Sequence, residues 1–573
     1  MYKFFGWIFL IVGFIVVVIS GCESQNHEDK TQPIVNQPTH VGYLRLPVNG
    51  VVTTVDPGKS YDLAHIEVVE QLFLGLTDFD PKTYEALPEL ATDWQANKDG
   101  TVYTFKLRQD VKWTNGEPVT AHDIVWAVGR NISLKTGSPS AFTLYAIKNA
   151  EAIHQDKPIQ TLDEYGEPVT ILPNDAQKLS LLGVRAIDDY TVEFTLEHAA
   201  GYFPALASLW TYRPLQRKVI EQYGEAWTDP EHIQTNGSYR LVEWNKGTKL
   251  ILTKNPDYYE ADKVKIPEVH YYIVPEPSLG LAMYEKNELD IIGGQVYLRL
   301  PQTEIPRIKL DPILRRDSKN SPQFCTEWYG FNVNRPPMDQ PLVRKAIAAA
   351  IDKQILIDII IKANHSPATT FTRPPIFGSV DPKEEVGIQF NPPQAKAWLL
   401  EAGYPDGQGF PQIVLMHHTS EIHHDIAQGV KTILKHYLNI DIEIRDLDWE
   451  RYMGIINPPT TPHIFRMSWC TDYPDANNWL HEVFHPDKGV NWIGWNNREF
   501  AEVVDKAQRT FEPSERQKLY RRAEQILTEE EAAIIPIYFS NAQFLVKPWV
   551  SGWYNMAFGG QHIRNWTLEA LEN

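Results

Sequence analysis

Trp469-Cys470-Thr471-Asp472-Tyr473-Pro474-Asp475 is the stretch on which the reading of this 573-residue chain turns. Two acids bracket a Tyr-Pro pair, and the run opens on Trp-Cys. Each residue has a plain structural reading. Asp472 suits the cap of a turn ahead of Pro474. Trp469 suits a core, and so does Trp449 upstream. Arg466 suits a surface ion pair, which is worth little. His423 suits the start of a helix.

Outward from that stretch, the periodicity changes along the chain. Tyr103, Phe105 and Leu107 alternate with Thr104, Lys106 and Arg108, and Val192, Phe194 and Leu196 alternate with polar neighbours. These spacings predict half-buried strands. Asn115-Gly116 and Asn236-Gly237 predict tight turns with φ > 0. From Pro341 onward, Val343, Ile347, Ala350 and Ile351 mark a helical face. Ala395, Trp398 and Leu399 mark another, ending at Gly403. Ile440, Ile442 and Ile444 return to a strand. Ser514 is the expected cap of a helix striped by Leu519, Ala523, Ile526 and Leu527. Helices alternating with strands predict an α/β lobe with parallel strands.

Length predicts two to four lobes. The formal charge is −19, from 54 Lys plus Arg against 73 Asp plus Glu. That argues against a general nucleic-acid binder, which needs a basic surface. Phe4 to Ser20 carry no charge and follow Lys3, which reads as a secretory leader. Ile19-Ser20-Gly21-Cys22 is similar to the lipobox of bacterial lipoproteins, whose Cys is lipidated and becomes the N-terminus. The alternative is an uncleaved anchor, and either places the remaining chain outside the cytoplasm. Glu23 to His40 reads as a polar tether. With Cys22 lipidated, Cys325 and Cys470 remain as a disulfide or as two buried thiols.

Two motifs carry possible metal chemistry. His481-Glu482-Val483-Phe484-His485 matches HExxH, in which one helix face presents two zinc ligands with a Glu base between them. Pro486 ends such a helix directly, and the third ligand has no clear candidate beyond Glu499 or Glu502. His417, His418, His423 and His424 straddle a strand end and a helix start. They suit a transition-metal site or a polar strand-to-helix loop, and the loop is the expected outcome. No complete phosphate loop, GxSxG or CxxC is present.

The Trp469–Asp475 stretch resembles the signature loop of the oligopeptide-binding proteins, the family 5 extracellular solute-binding proteins of ABC importers. The resemblance extends through Val55-Asp56-Pro57, Leu72-Phe73-Leu74-Gly75-Leu76, Trp113 to Asp123, Thr235-Asn236-Gly237-Ser238-Tyr239, Val343-Arg344-Lys345-Ala346-Ile347 and Leu545-Val546-Lys547-Pro548-Trp549. It implies an α/β, bilobal, periplasmic-binding-protein-like (flytrap) fold with an extra strand-rich subdomain. The expected parts are a lipoprotein signal peptide at 1–22, a tether at 23–40, lobe I at 41–73 plus 198–324 plus 541–573, the subdomain at 74–197, and lobe II at 325–540. The implied function is capture of short peptides and delivery to an ABC permease. The protein is then a monomer held to the membrane by a lipid anchor, in the periplasm or on the outer face of the cell membrane, with no cofactor and no catalysis.

By the same resemblance, Cys325 and Cys470 fall on a disulfide. Asp472 falls on the partner of the peptide α-ammonium, and Arg466 and His423 on groups at its C-terminal end. Trp469 and Trp449 fall on pocket walls beside Cys470, and Leu63 on a backbone position that pairs with the extended peptide as a strand does. A zwitterionic peptide needs such a set: a fixed anion, a fixed cation, backbone partners and apolar pockets. Departures from the family are Ser140 in place of a Tyr, which predicts an opened pocket, Tyr190 in place of a His, and the Gly293-Gly294-Gln295 turn. Receptors for a nickel chelate, haem or an opine are the alternatives within the family. A zinc peptidase using His481, Glu482 and His485 is the alternative of another class.

Overall fold

The structure is a computed structural model that describes residues 42–162, 166–171, 179–457 and 460–569. The leader, Cys22 and the tether lie outside the described residues. No described helix is long and apolar enough to cross a membrane.

Three sheets organise the chain. In the first, Leu44–Val48 runs parallel to Glu268–Ile273, and Lys249–Lys254 and Tyr239–Asn245 add antiparallel. The second is an antiparallel set in the order Ala91–Ala96, Val102–Leu107, Thr191–Thr195, Val184–Asp188. Tyr103, Phe105 and Leu107 point into its core, as their alternation predicts. These two sheets share one apolar cluster, in which Leu44 and Leu250 join Phe105 and Phe194. Residues of the expected subdomain at 74–197 thus join the same apolar cluster as the first sheet.

The third sheet has seven strands. Ile413–His418 lies parallel to both Ile442–Leu447 and Ile464–Cys470, with the helix Glu421–Leu438 as the crossover between the first two. This is the expected βαβ pattern, but it covers three strands only. Beyond Ile464–Cys470 the pairing turns antiparallel, through the long strands Ser318–Phe331 and Ile534–Val546. Alternate residues of Ser318–Phe331 feed opposite layers, with Trp328 in one core and Tyr329 and Phe331 in another. The anticipated lobe boundaries at 324/325 and 540/541 fall inside these two strands. Their ladder changes register between Pro322 and Thr326, at the same place.

Two local expectations are corrected. Glu512, not Ser514, caps the helix Pro513–Gln525, and its carboxylate accepts from Glu515 N at 2.8 Å. Pro513 has its φ preset for the first helical position and lacks an N–H, so the helix begins ahead of Ser514. Gly237 does not have a positive φ. Glycine is required there by close approach, since a Cβ would lie 2.5 Å from the carbonyl oxygen of Gln71. The Asn115-Gly116 turn does place Gly116 at φ +87°. Gly293 and Gly294 combine both demands, with φ of +118° and +64° against the strand at Gln543 and Phe544.

Cys325 and Cys470 face each other directly across the antiparallel ladder and are joined in a disulfide, 145 residues apart in sequence. It ties the strand that carries the register change to the end of the strand that leads into Asp472. Closing so long a loop stabilises by at most ~5 kcal/mol in the chain-entropy picture. Non-reducing peptide mapping is expected to link the two, and Cys325→Ser to lower the unfolding free energy toward that limit. Two alkylatable thiols in native oxidised protein would contradict the bridge.

Candidate functional site

The strand Ile464–Cys470 delivers its residues to two places. On one face, Arg466, Ser468 and Cys470 alternate; on the other, Phe465, Met467 and Trp469 turn toward an aromatic core around Trp328. Beyond the strand the chain turns sharply through Thr471 to Ala476, and this turn is pinned from below. Asp475 is buried, and Arg516 Nη2 donates to both of its oxygens at 2.8 Å. Asp475 also accepts from Asn477 N at 3.0 Å and from the Tyr520 hydroxyl at 3.2 Å. Tyr473 is buried and stacks on Tyr202 at 5.3 Å between ring centroids.

Asn478, fully buried in the following helical turn, organises the pinned loop. Its Oδ1 accepts from Asp472 N at 2.9 Å and from Trp469 Nε1 at 3.3 Å. Its Nδ2 donates to Asp472 Oδ2 at 3.1 Å and to Glu482 Oε2 at 2.6 Å. One amide therefore fixes the acid, the indole and a second acid. Asp472 is half-buried, and no ion pair reaches it among the described residues. Burial holds its carboxyl above the ordinary range, against the pull of Asn478. Glu482 is pushed up to about 7 by burial, although Tyr473 donates to it at 2.5 Å. The result is a desolvated acidic corner able to receive a cation.

The second place is built on Arg466. Its Nε and Nη2 both donate to the carboxylate of Glu327, a buried partner on the neighbouring strand. The fixed cation expected from the sequence is thus already neutralised. His423 Nδ1 lies 3.8 Å from Glu327 Oε1. His418, at the end of Ile413–His418, packs edge-on to His423 at 4.6 Å and to Trp449 at 5.1 Å. Burial, then the charge of Arg466, holds His418 at about 4 and His423 at about 3, so both rings are neutral near pH 7. The four clustered histidines form a strand-to-helix join, and Trp449 stands half exposed beside it.

Two sequence expectations are met differently. Leu63 opens the helix Leu63–Leu72, capped by Asp62, and packs on the core of the first sheet. It offers a first-turn N–H in place of a strand edge. Ser140 is buried and donates to the carbonyl of Ser60 at 2.9 Å, so no pocket opens at its side chain. A shorter side chain here allows local closure.

The HExxH segment resolves into a hydrogen-bond network. His481 Nε2 and His485 Nε2 lie 3.1 and 3.4 Å from Asp505 Oδ1, and Asp505, not Glu499 or Glu502, is the acid that joins them. His485 Nδ1 accepts from the amides of Asp487 and Lys488, both at 3.1 Å. Its proton must then sit on Nε2, facing Asp505, which closes that nitrogen to a metal. Lys488 Nζ pairs with Asp505 at 2.5 Å as well. Glu482 turns away from this pair toward Asp472. The arrangement does not supply the ligand pair and base of a zinc peptidase.

Asn478 and Glu327 were missed from sequence, and Glu482 was read only as the base of the HExxH motif, not as a neighbour of Asp472. Glu327 carried a faint signal, being an acid placed among apolar residues in a strand two positions from Cys325.

These features can be set beside known proteins. The sequence profile of the bacterial extracellular solute-binding proteins, family 5 (middle), matches residues 85–491. The chain is 29% identical over 507 residues to the periplasmic oligopeptide-binding protein OppA of Salmonella typhimurium, covering 88% of each. It superposes on the unliganded open form of the murein tripeptide binding protein MppA with a TM-score of 0.82 at 27% identity, over 93% of this chain and 98% of that one. On another structure, of Escherichia coli MppA, the TM-score is 0.63 at 28% identity, over 92% and 98%. With a profile spanning most of its length, its bilobal α/β fold and the binding proteins it resembles, the chain belongs to the family 5 bacterial extracellular solute-binding proteins.

Proposed function

We propose that this protein captures short peptides outside the cytoplasm and delivers them to an ABC permease. The observation that carries the reading is the Asp472 carboxylate, which accepts from Asn478 Nδ2 while Asn478 Oδ1 holds the Asp472 backbone N–H, and which meets no cation among the described residues. A peptide α-ammonium supplies the missing charge through a charge-assisted hydrogen bond. Trp469, tied to the same Asn478, forms an apolar wall beside it. The lobes divide at the register change in the two long strands. The higher similarity to an open, unliganded relative supports lobes spread apart here, so that Asp472 keeps contact with water until a ligand arrives. Closing over it without an amine would bury an unpaired charge, which costs several kcal/mol. Closure is then favoured by ligands that carry the ammonium, a population shift driven by differential affinity. Cys22 is the proposed lipid attachment site, and the polar segment behind it the tether. The binding step involves no covalent chemistry.

Asp472→Asn keeps the shape and removes the charge. It is expected to weaken a free-amine peptide by ~2–5 kcal/mol, the range for losing one partner of a buried charged pair. An N-acetylated peptide should bind the wild type poorly and lose little more in the variant. Calorimetry on both peptides and both proteins completes the cycle. Independent, additive losses would move the amine site elsewhere.

Glu482 adds a pH dependence. Below its pKa of about 7 it is neutral, and above it a second negative charge stands behind the ammonium. Affinity for free-amine peptides is therefore expected to rise between pH 5.5 and 7, by roughly three- to tenfold, where the α-amine, with a pKa of about 7.7–8.0, is still mostly protonated. Binding near pH 7 should release protons, read from calorimetry in buffers of different ionisation enthalpy. Glu482→Gln should flatten the profile, and a flat wild-type profile would remove Glu482 from the site. In cells, Cys22→Ala is expected to free the protein from membranes; unchanged retention would favour an uncleaved anchor.

A further inference from the structure

We infer that Glu327 is a specificity-determining residue, which occupies the guanidinium of Arg466 so that the cleft recognises a peptide without requiring its free C-terminal carboxylate. The inference rests on the peptide reading above. It concerns the part of the site built on Arg466, His423 and His418.

A guanidinium binds a carboxylate best through two parallel N–H donors on one edge. In this chain the Nε–Nη2 edge of Arg466 is spent on Glu327, which approaches from the adjacent strand. Both side chains are nearly sealed from solvent, at 9% and 5% exposure, so water does not compete for the pair. The Nη1 edge can still donate, but as part of a pair with no net charge. An incoming carboxylate at the Nη1 edge would also feel the Glu327 charge across the same guanidinium, which offsets part of the attraction.

The other groups around Arg466 do not restore the lost charge. From the strand Ile534–Val546, Tyr538 stands opposite Glu327. Tyr329 lies across the ladder from Arg466, and Tyr452 donates its hydroxyl to the Arg466 carbonyl. From the helix Glu421–Leu438 comes His423, and from the end of Ile413–His418 come His418 and His417. Histidines in this dry setting beside a cation stay neutral. The Nδ1 atoms of His418 and His423 are buried with no hydrogen-bond partner among the described residues. Buried polar atoms of this kind call for a partner. A neutral imidazole nitrogen is suited to a neutral partner, such as a backbone amide of a continuing chain or a C-terminal carboxamide. The strand places Arg466 six positions before Asp472, at most ~20 Å along the chain. A peptide held at Asp472 therefore reaches this place within at most about six extended residues.

Calorimetry with tri-alanine and tetra-alanine, each as the free acid and as the C-terminal amide, tests the inference. The wild type is expected to bind acid and amide within about threefold of each other, as a neutral site should. Glu327→Gln leaves the Arg466 charge unmatched and should shift preference to the acid by roughly tenfold or more. The wild-type ratio decides the matter even where the variant fails to fold. Amine-dependent binding with a wild-type preference for the acid of about tenfold or more would overturn the role of Glu327 and leave the peptide reading standing. Failure of all four probes to bind would overturn both.

Discussion

A carboxylate held partly out of water with one amide for company is the constraint around which this receptor is arranged. Asp472 cannot choose its position. Asn478 grips its backbone and its side chain together, and the loop below is clamped by Asp475 on Arg516. The two partners of that clamp offset each other's burial, and removing either would leave a charge stranded in a low-dielectric core. In the proposed function the same physics applies to Asp472, with the ligand supplying its partner. Rigidity below and an unmet charge above are what a selective amine site needs, because the geometry is set before the ligand arrives.

The fold provides the frame for that corner. Two long antiparallel strands cross from one part of the molecule to the other, and their ladder slips register beside Cys325. The disulfide then ties this region to the last residue of the strand that leads into the Asp472 loop. Covalent anchoring at a place where the hydrogen-bond ladder is irregular keeps the loop in position while the surrounding strands remain able to bend. The Arg466 pair stands on the strand Ile464–Cys470 and Asp472 on the loop that leaves its end, so the chain joins the two places directly.

Much of this arrangement was legible in the sequence, for physical reasons. Alternation in Tyr103–Leu107 and the helical stripe from Val343 survive in the structure because they report burial, which the fold cannot evade. The cysteine pair was legible through resemblance, since the motif around it is long, and the same motif is what puts Asp472 forward as a site residue. Asn478 was not, because a buried Asn looks like any other until its Nδ2 is seen to bridge two acids while its Oδ1 holds the Asp472 backbone and the Trp469 indole. Glu327 was hidden because the cation it neutralises lies far away in sequence and meets it only through strand pairing. Ser140 misled for a related reason: a small residue predicts space only if its neighbours stay where a larger one would have held them. The HExxH match likewise lacked the decisive detail, which is the pair of backbone amides that fixes the proton on His485.

The ligand that accompanies the protein from its own cell tests this account most directly. Purified under native conditions, denatured and examined by mass spectrometry, it should release short peptides with unblocked α-amines. Release of a metal chelate, a haem, an opine or uniformly N-blocked peptides would contradict the claim that Asp472 selects its ligands by their ammonium group.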